Sequence, residues 1–180
     1  MPILDRFQRL YRSKETAKPM RWVKEGKRDG QDPDIMVHPS DGEAWKALDR
    51  FDPTFASNPR TIRLGLLMDG FTPFTTSASP YSCWPVFVMP YNLPPEMCMN
   101  EGFIFLALVI PGPEHPVKNL NVYMQPLIKE LKKLWEGVTV YDSYEGKEFK
   151  LSQMEEEESE LSVCIAIAPK GYIYKRAPKP

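Results

Sequence analysis

The chain has 180 residues, and its 23 Lys and Arg against 24 Asp and Glu leave a net charge of -1, without the basic excess that free-standing duplex-DNA binders usually show. Hydrophobic residues make up 42%, which is enough for one core. The three cysteines lack CxxC spacing, which argues against a disulfide framework or a zinc site. The sequence has no signal-peptide core and no apolar run of ~20 residues, so it predicts a soluble intracellular protein.

The first 35 residues form a basic lead segment with two predicted short helices, over Ile3 to Tyr11 and Pro19 to Lys27. Dense local cations are typical of a solvated basic face, and the alternative interpretation is contact with nucleic acid. The residues that would bind DNA under this alternative are Arg6, Arg9, Arg12 and Lys14.

A helix and three strands are predicted next. The helix lies within residues 38–50, with Ser40 or Asp41 as its N-cap. Alternation of apolar residues over 62–68 predicts a first strand that ends at an Asp-Gly pair. Residues 84–90 predict a short second strand between prolines. Residues 103–113 are apolar on both faces, which predicts a third, central strand.

The third strand is followed by a helix over residues 120–137, whose apolar residues recur at helical spacing. Gly137 is predicted to be its C-cap, and Pro126 is expected in its first turn because an interior proline breaks the hydrogen-bond ladder. Residues 138–144 are the candidate fourth strand, and residues 152–180 form a divergent acidic and irregular tail. The order β-β-β-α-β predicts an α/β fold.

Asp69 is the first candidate for chemistry, because carboxylates held at strand ends bind divalent cations in two-metal nucleases. The alternative is a simple turn, since Asp-Gly commonly follows a strand. Asp142 ends the candidate fourth strand in the same way, but no partner motif accompanies it. Asp41, Glu43 and Asp49 suit helix capping and a solvated helix face.

Other reactive side chains form no motif. His38 and His115 lie far apart in the sequence, and Cys83 and Cys98 are expected to be small buried hydrophobes. The segments YSCWP and YNLPP could stack on bases, although such loops more often pack onto a sheet. The sequence contains no Gly-rich phosphate loop, GxSxG or HExxH.

Five long sequence segments resemble those of a known protein family in their order and spacing. They are MVHPSDGEAWKALDR, NPRTIRLGLLMDGFTPF, PYSCWPVFVMPYNLPPEMCM, FIFLALVIPGP and NVYMQPLIKELKKLWEGV. Together they resemble the plant CACTA (En/Spm) transposase family over residues 36–151, and the lead LDRFQRLYRSKETAKPMRW also looks like the segment upstream in that family. Arg60, Trp84 and Tyr91 match family positions and are interpreted as structural.

The resemblance implies a nuclear cut-and-paste DNA transposase with an RNase H-like domain, three carboxylates and Mg²⁺ or Mn²⁺. Its partners would be DNA at transposon ends and an intact transposase. The word DGFTPF places the first catalytic and metal-binding carboxylate of the family at Asp69. Residues 36–151 would then form a partial RNase H-like domain.

The chain departs from the family after residue 151, where a strand with a second Asp, a Cys-x-x-Cys segment and a third carboxylate are expected. It continues instead as QMEEEESELSVCIAIAPKGYIYKRAPKP. We therefore expect a truncated transposase that is inactive alone. The apolar alternation within residues 161–168 could supply the missing strand.

Two alternatives to an inactive fragment remain. One is a co-opted protein that binds DNA or an intact transposase through the basic lead. The other is a cryptic nuclease, in which Asp142 or the run Glu155 to Glu158 would replace the missing carboxylates.

Overall fold

The computed structural model describes residues 2–26, 35–73, 81–112 and 119–151, with the backbone of 166–167. The helices of this part are α1 Leu4–Arg12, α2 Lys14–Ala17, α3 Trp22–Glu25, α4 Glu43–Phe51, α5 Pro53–Ser57, α6 Pro95–Cys98 and α7 Leu120–Glu136. The strands are β1 Leu64–Met68, β2 Trp84–Pro90, β3 Phe105–Ile110, β4 Val138–Asp142, β5 Lys147–Leu151 and β6 Ala166–Ile167. This mixture of helix and strand confirms the α/β class.

The main sheet has the strand order β3-β2-β1-β6. β1 pairs antiparallel with β2 from Leu64 opposite Pro90 onwards, and β2 pairs antiparallel with β3 with a register shift at 86–87. β6 runs parallel to β1, with Gly65 opposite Ala166. The backbone at 166–167 therefore lies beside β1, within the stretch 161–168 that the sequence offered as one possible substitute for the missing strand.

The third strand was predicted to be central, and this was wrong for the described part of the chain, where β3 lies at the sheet edge. Its two faces differ: Phe105 and Ala107 are buried, whereas Leu106 and Val109 are exposed. An apolar residue that faces solvent has the same sequence signature as one that faces a second layer. The sequence pattern therefore could not distinguish an edge strand from a central one.

The basic lead is part of the hydrophobic core. Phe7 on α1 meets Phe105 edge to face with ring centroids 5.8 Å apart, and Tyr11 meets Phe149 in the same way at 4.9 Å. Met20 is fully buried in the same cluster. The boundary predicted at residue 35 therefore separates a basic segment from a less basic one. It does not separate two cores, because described residues on both sides pack in one hydrophobic cluster.

Two residues distant in the chain cap the ends of α1. The first N–H groups and the last carbonyls of any helix have no partner within the helix, and these residues supply partners for some of them. At the start of α1, the carboxylate Oε2 of Glu130 on α7 accepts the Ile3 N–H at 2.5 Å and the Leu4 N–H at 3.4 Å. At its end, the N–H of Ser143 donates to the Tyr11 carbonyl at 2.9 Å, and its hydroxyl donates to the carbonyl of Arg12. The orientation of α1 is therefore set by α7 and by the β4–β5 turn.

Replacing Glu130 with Ala should lower the free energy of unfolding by about 1 kcal/mol, the usual cost of losing an N-cap acceptor. Glu130→Gln retains an acceptor oxygen but loses the charge that favours a helix N-terminus, so it should cost less. Urea denaturation followed by tryptophan fluorescence measures both. Lys129→Ala, an exposed neighbour on α7, is the control, and an equal loss in this variant would contradict a specific capping role.

Local details of two predicted helices differ from expectation. Gly42 is the N-cap of α4; Asp41 instead ends a preceding 3₁₀ turn and accepts the His38 N–H at 3.0 Å. Pro126 was expected in the first turn of α7, but the helix begins at Leu120 and the proline is interior. Gly137 follows the helix with φ of 89°, as the C-cap prediction required.

The chain after α7 forms a second, two-stranded sheet. β4 confirms the predicted fourth strand, and β5 pairs with it antiparallel from Val138 opposite Leu151 to Asp142 opposite Lys147. The sequence had given no separate prediction for β5. The positive φ of Gly146 closes the turn between the two strands.

Candidate functional site

Asp69 follows directly after β1, and its side chain is exposed. Its Oδ1 accepts the N–H of Gly70 at 2.9 Å. A Cβ on Gly70 would lie 2.6 Å from the Trp84 ring, so only glycine allows this close approach. Phe71 and Cys83 then form an antiparallel bridge, with both N–H···O distances 3.0 Å. The carboxylate therefore lies just after the end of β1, where the following backbone is fixed by the Gly70–Trp84 packing and the Phe71–Cys83 bridge.

Two acidic side chains that precede it in the chain are engaged elsewhere. Asp49 pairs with Arg63 and, at 3.4 Å, with Lys24, while Glu43 pairs with Arg50. Within the residues that the structure describes, no group of three His, Cys, Asp or Glu side chains could hold a metal ion. The described residues thus do not gather three such metal ligands around Asp69.

Asp142 is fully buried at the end of β4, and both of its carboxylate oxygens are occupied. Oδ1 accepts the N–H groups of Tyr144 at 2.9 Å and Glu145 at 3.2 Å. Oδ2 accepts Arg60 Nε at 3.0 Å and lies 4.0 Å from Arg21 Nη1. Turn amides and guanidinium groups therefore occupy both oxygens of Asp142, which argues against the hypothesis that it supplies a missing metal ligand.

Charges around Asp142 are balanced within one network. Hydrogen bonds from Lys147 and Arg21, together with the charge of Arg60, hold the pKa of Glu145 at about 2. Burial lowers the pKa of Arg21, but hydrogen bonds to Glu25 and Glu145 raise it by more, so the guanidinium stays charged. The network joins the lead to the β4–β5 hairpin and makes Arg60 a structural residue.

The four proposed DNA-binding cations have different environments. Arg9, Arg12 and Lys14 are exposed on α1 and α2. Arg6 is half-buried, with its guanidinium carbon 5.4 Å from the centroid of the Phe105 ring. Arg6 therefore packs against the sheet, and the exposed cations lie toward the C-terminal end of α1.

Comparison with known proteins adds one decisive finding: the sequence profile described as transposase family tnp2 matches residues 33–155. The match spans more than half of the chain and contains Asp69. The chain belongs to the transposase family tnp2. Neither a curated protein nor a solved structure matches it significantly.

The tnp2 match includes the aromatic and proline-rich words, and the structure gives them packing roles. A Cβ on Gly65 would lie 2.4 Å from the ring of Tyr91, so this strand and ring are in close contact. Asn92 is buried; its Oδ1 accepts the Arg63 N–H at 2.9 Å and its amide donates to the Thr61 carbonyl. The segment YNLPP therefore packs its loop against the sheet through Tyr91 and Asn92.

Cys98 and His38 are buried in the tnp2 chain, whereas Cys83, also expected to be buried, is half-buried. Cys98 is buried, and desolvation raises the pKa of its thiol to about 12, as expected of a small buried hydrophobe. His38 is buried, and its Nδ1 accepts the N–H of Ser40 at 3.1 Å. His115, Cys164 and the run Glu155 to Glu158 lie outside the described residues.

The match begins at residue 33, so residues 1–32 of the lead lie outside it, although the lead contributes to the core. Sequence reasoning treated the lead as a basic surface and missed this role. The spacing of Phe7, Leu10 and Tyr11 on α1 was the available signal, because it places three large side chains on one helix face. Among the described helices, none is long and apolar enough to cross a membrane.

Proposed function

We propose that this tnp2 chain derives from a cut-and-paste DNA transposase of the plant CACTA (En/Spm) type, and that its partner is DNA at transposon ends in the nucleus. The observation that carries the proposal is the family match over residues 33–155, within which DGFTPF follows directly from β1. The five sequence words quoted above support the narrower assignment to the CACTA type.

An RNase H-like fold is part of this proposal. Three sequential strands pair in the order β3-β2-β1, a long helix follows, and a later strand returns parallel to β1. The support for an RNase H-like fold comes from β6, because β4, the strand directly after the helix, pairs with β5 in a separate sheet. This arrangement leaves Asp69 at the carboxyl end of β1, which is the strand that lies between an antiparallel and a parallel neighbour.

Asp69 is our candidate for the first carboxylate of the intact family, which would use Mg²⁺ or Mn²⁺. Two divalent cations need several oxygen ligands held together, and the described residues form no group of three candidate metal ligands. These residues therefore do not fit a two-metal centre by themselves, and no catalytic step follows from them. We propose that the chain alone does not cleave DNA.

The test is nicking of supercoiled plasmid by the purified chain with Mg²⁺ or Mn²⁺, compared with the Asp69→Asn variant. We expect no difference between the two, because the described residues bring together no group of three ligands that could position both ions. Metal-dependent nicking that Asp69→Asn abolishes would overturn the proposal and make the chain a nuclease. Asp49→Asn serves as a control at a half-buried acid that pairs with Arg63.

A second candidate function is a co-opted protein that binds DNA or an intact transposase without catalysis. The specific observation that favours it is the exposure of Arg9, Arg12 and Lys14 on one end of the lead. This function requires salt-dependent binding of DNA, or co-purification with a full-length tnp2 transposase, in the absence of any nicking. Absence of both kinds of binding at low salt would contradict it.

A further inference from the structure

The turn between β4 and β5 is fixed against the end of α1. The N–H of Ser143 donates to the carbonyl of Tyr11 at 2.9 Å, and its hydroxyl donates to the carbonyl of Arg12 at 2.5 Å. The Gly146 N–H donates to the Asp142 carbonyl at 2.7 Å. These bonds bring the hairpin turn beside the junction of α1 and α2, where the lead carries its exposed cations.

Tyr144 presents its ring at this turn. The residue is 46% exposed, while its backbone N–H donates to Asp142 Oδ1 at 2.9 Å. Two cations lie near the ring, with Lys18 Nζ and Arg21 Cζ each 5.9 Å from its centroid. An aromatic ring on a backbone fixed in this way can stack on a planar group without the cost of ordering a flexible loop.

The charge at the turn favours an anion. Glu145, the acidic neighbour of Tyr144, is already paired with Arg21, Arg60 and Lys147. Arg12, Lys14 and Lys18 are exposed and form no ion pair with the described residues, although Lys14 lies beside the exposed carboxylate of Glu15. The other exposed tyrosine of the hairpin, Tyr141, lies opposite Glu148 and is less suited to a phosphate backbone.

We infer that Arg12, Lys14, Lys18 and Tyr144, together named the Tyr144 surface, bind single-stranded DNA. Tyr144 stacks on a base, and the three cations contact neighbouring phosphates, which is the combination that binds single strands without sequence preference. A duplex keeps its base faces stacked inside and offers them to no exposed ring. The inference rests on the proposed function, in which DNA is the partner, and adds the strand form and the residues.

Fluorescence anisotropy of a labelled oligo-dT, titrated with the full chain at low salt, measures how much the Tyr144 ring contributes to binding. We expect Tyr144→Ala to weaken binding about tenfold, within the range measured for loss of one stacking aromatic. Tyr144→Phe, which keeps the ring, should bind as tightly as the parent chain. A duplex of the same length should bind more weakly than oligo-dT and respond little to Tyr144→Ala.

The cations are tested by the variant Arg12→Gln/Lys14→Gln/Lys18→Gln. Losing three phosphate contacts should reduce the slope of log affinity against log salt by about 2. The matched control is Lys129→Gln/Lys132→Gln/Lys133→Gln on α7, which removes the same charge from exposed positions on another helix. Unchanged thermal melts of all variants exclude unfolding as the cause.

The outcomes separate this inference from the proposed function. If the chain binds oligo-dT and Tyr144→Ala binds it equally well, or if the α7 control weakens binding as much, the Tyr144 surface is wrong while DNA binding stands. Tighter binding of duplex that is indifferent to Tyr144 also contradicts the Tyr144 surface and leaves DNA binding intact. If the chain binds neither oligonucleotide at low salt, the DNA partner of the proposed function fails as well.

Discussion

A chain that lacks residues 2–26 is expected to show no cooperative unfolding transition, whereas the intact chain should unfold in one. The lead places Ile3, Phe7, Tyr11 and Met20 in the core, each at most 1% exposed. Burial of one such side chain contributes about 1.5–3 kcal/mol, so four contribute on the order of 6–12 kcal/mol. This equals the whole stability of a typical domain, about 5–15 kcal/mol.

Urea denaturation followed by tryptophan fluorescence measures this effect, because Trp45, Trp84 and Trp135 remain after the deletion. A milder version is Phe7→Ala, which should cost ~3–5 kcal/mol. Its matched control is Arg9→Ala on the exposed face of α1, which should change stability by less than about 0.5 kcal/mol. A truncated chain with an unchanged midpoint would contradict the prediction and show that the segment matched to the family folds without the lead.

Asp142→Ala is expected to be the most destabilising single change outside the hydrophobic core, at ~3–5 kcal/mol. The substitution leaves Arg60 and Arg21 with no partner at that position, and both are largely buried, with side-chain exposures of 13% and 10%. It also removes the acceptor of two turn N–H groups. The denaturation midpoint of the purified variant measures the loss.

Two variants separate the causes of that loss. Asp142→Asn can keep the Oδ1 bonds to the turn while losing the charge that faces the guanidinium groups, so it should be less destabilising than Asp142→Ala. Glu148→Ala, an exposed carboxylate on the same hairpin, should change stability by less than about 0.5 kcal/mol. Equal effects of Glu148→Ala and Asp142→Ala would show that the buried network is not what stabilises the hairpin.

The elements with strong local signals were predictable from sequence. The alternation that ends at Asp69 predicted β1, the proline-bounded apolar run predicted β2, and the glycine after the amphipathic stretch marked the end of α7. Each of these signals depends only on residues close together in the sequence, within a single helix or strand and its ends. β5 gave no such prediction, because KEFKL is short and mostly charged.

The roles of the acidic residues show where local reasoning ends. Asp69 and Asp142 have the same sequence signature, since each follows an apolar strand. Asp69 is exposed, whereas Asp142 is buried against Arg21 and Arg60, which lie far away in the chain. Nothing within a few positions of either aspartate distinguishes an open carboxylate from one committed to an ion-pair network.

The sequence by itself determined the transposase family, the α/β class and the position of Asp69 at the end of the first core strand, because all three depend on contiguous words and local periodicity. Only the tertiary structure decided that the basic lead belongs to the core, that β3 is an edge strand and that the β4–β5 turn meets the end of α1. Those features depend on contacts between residues far apart in the chain, such as Ile3 with Glu130 and Arg12 with Ser143. Such contacts form only when the hydrophobic faces of separate elements are buried together.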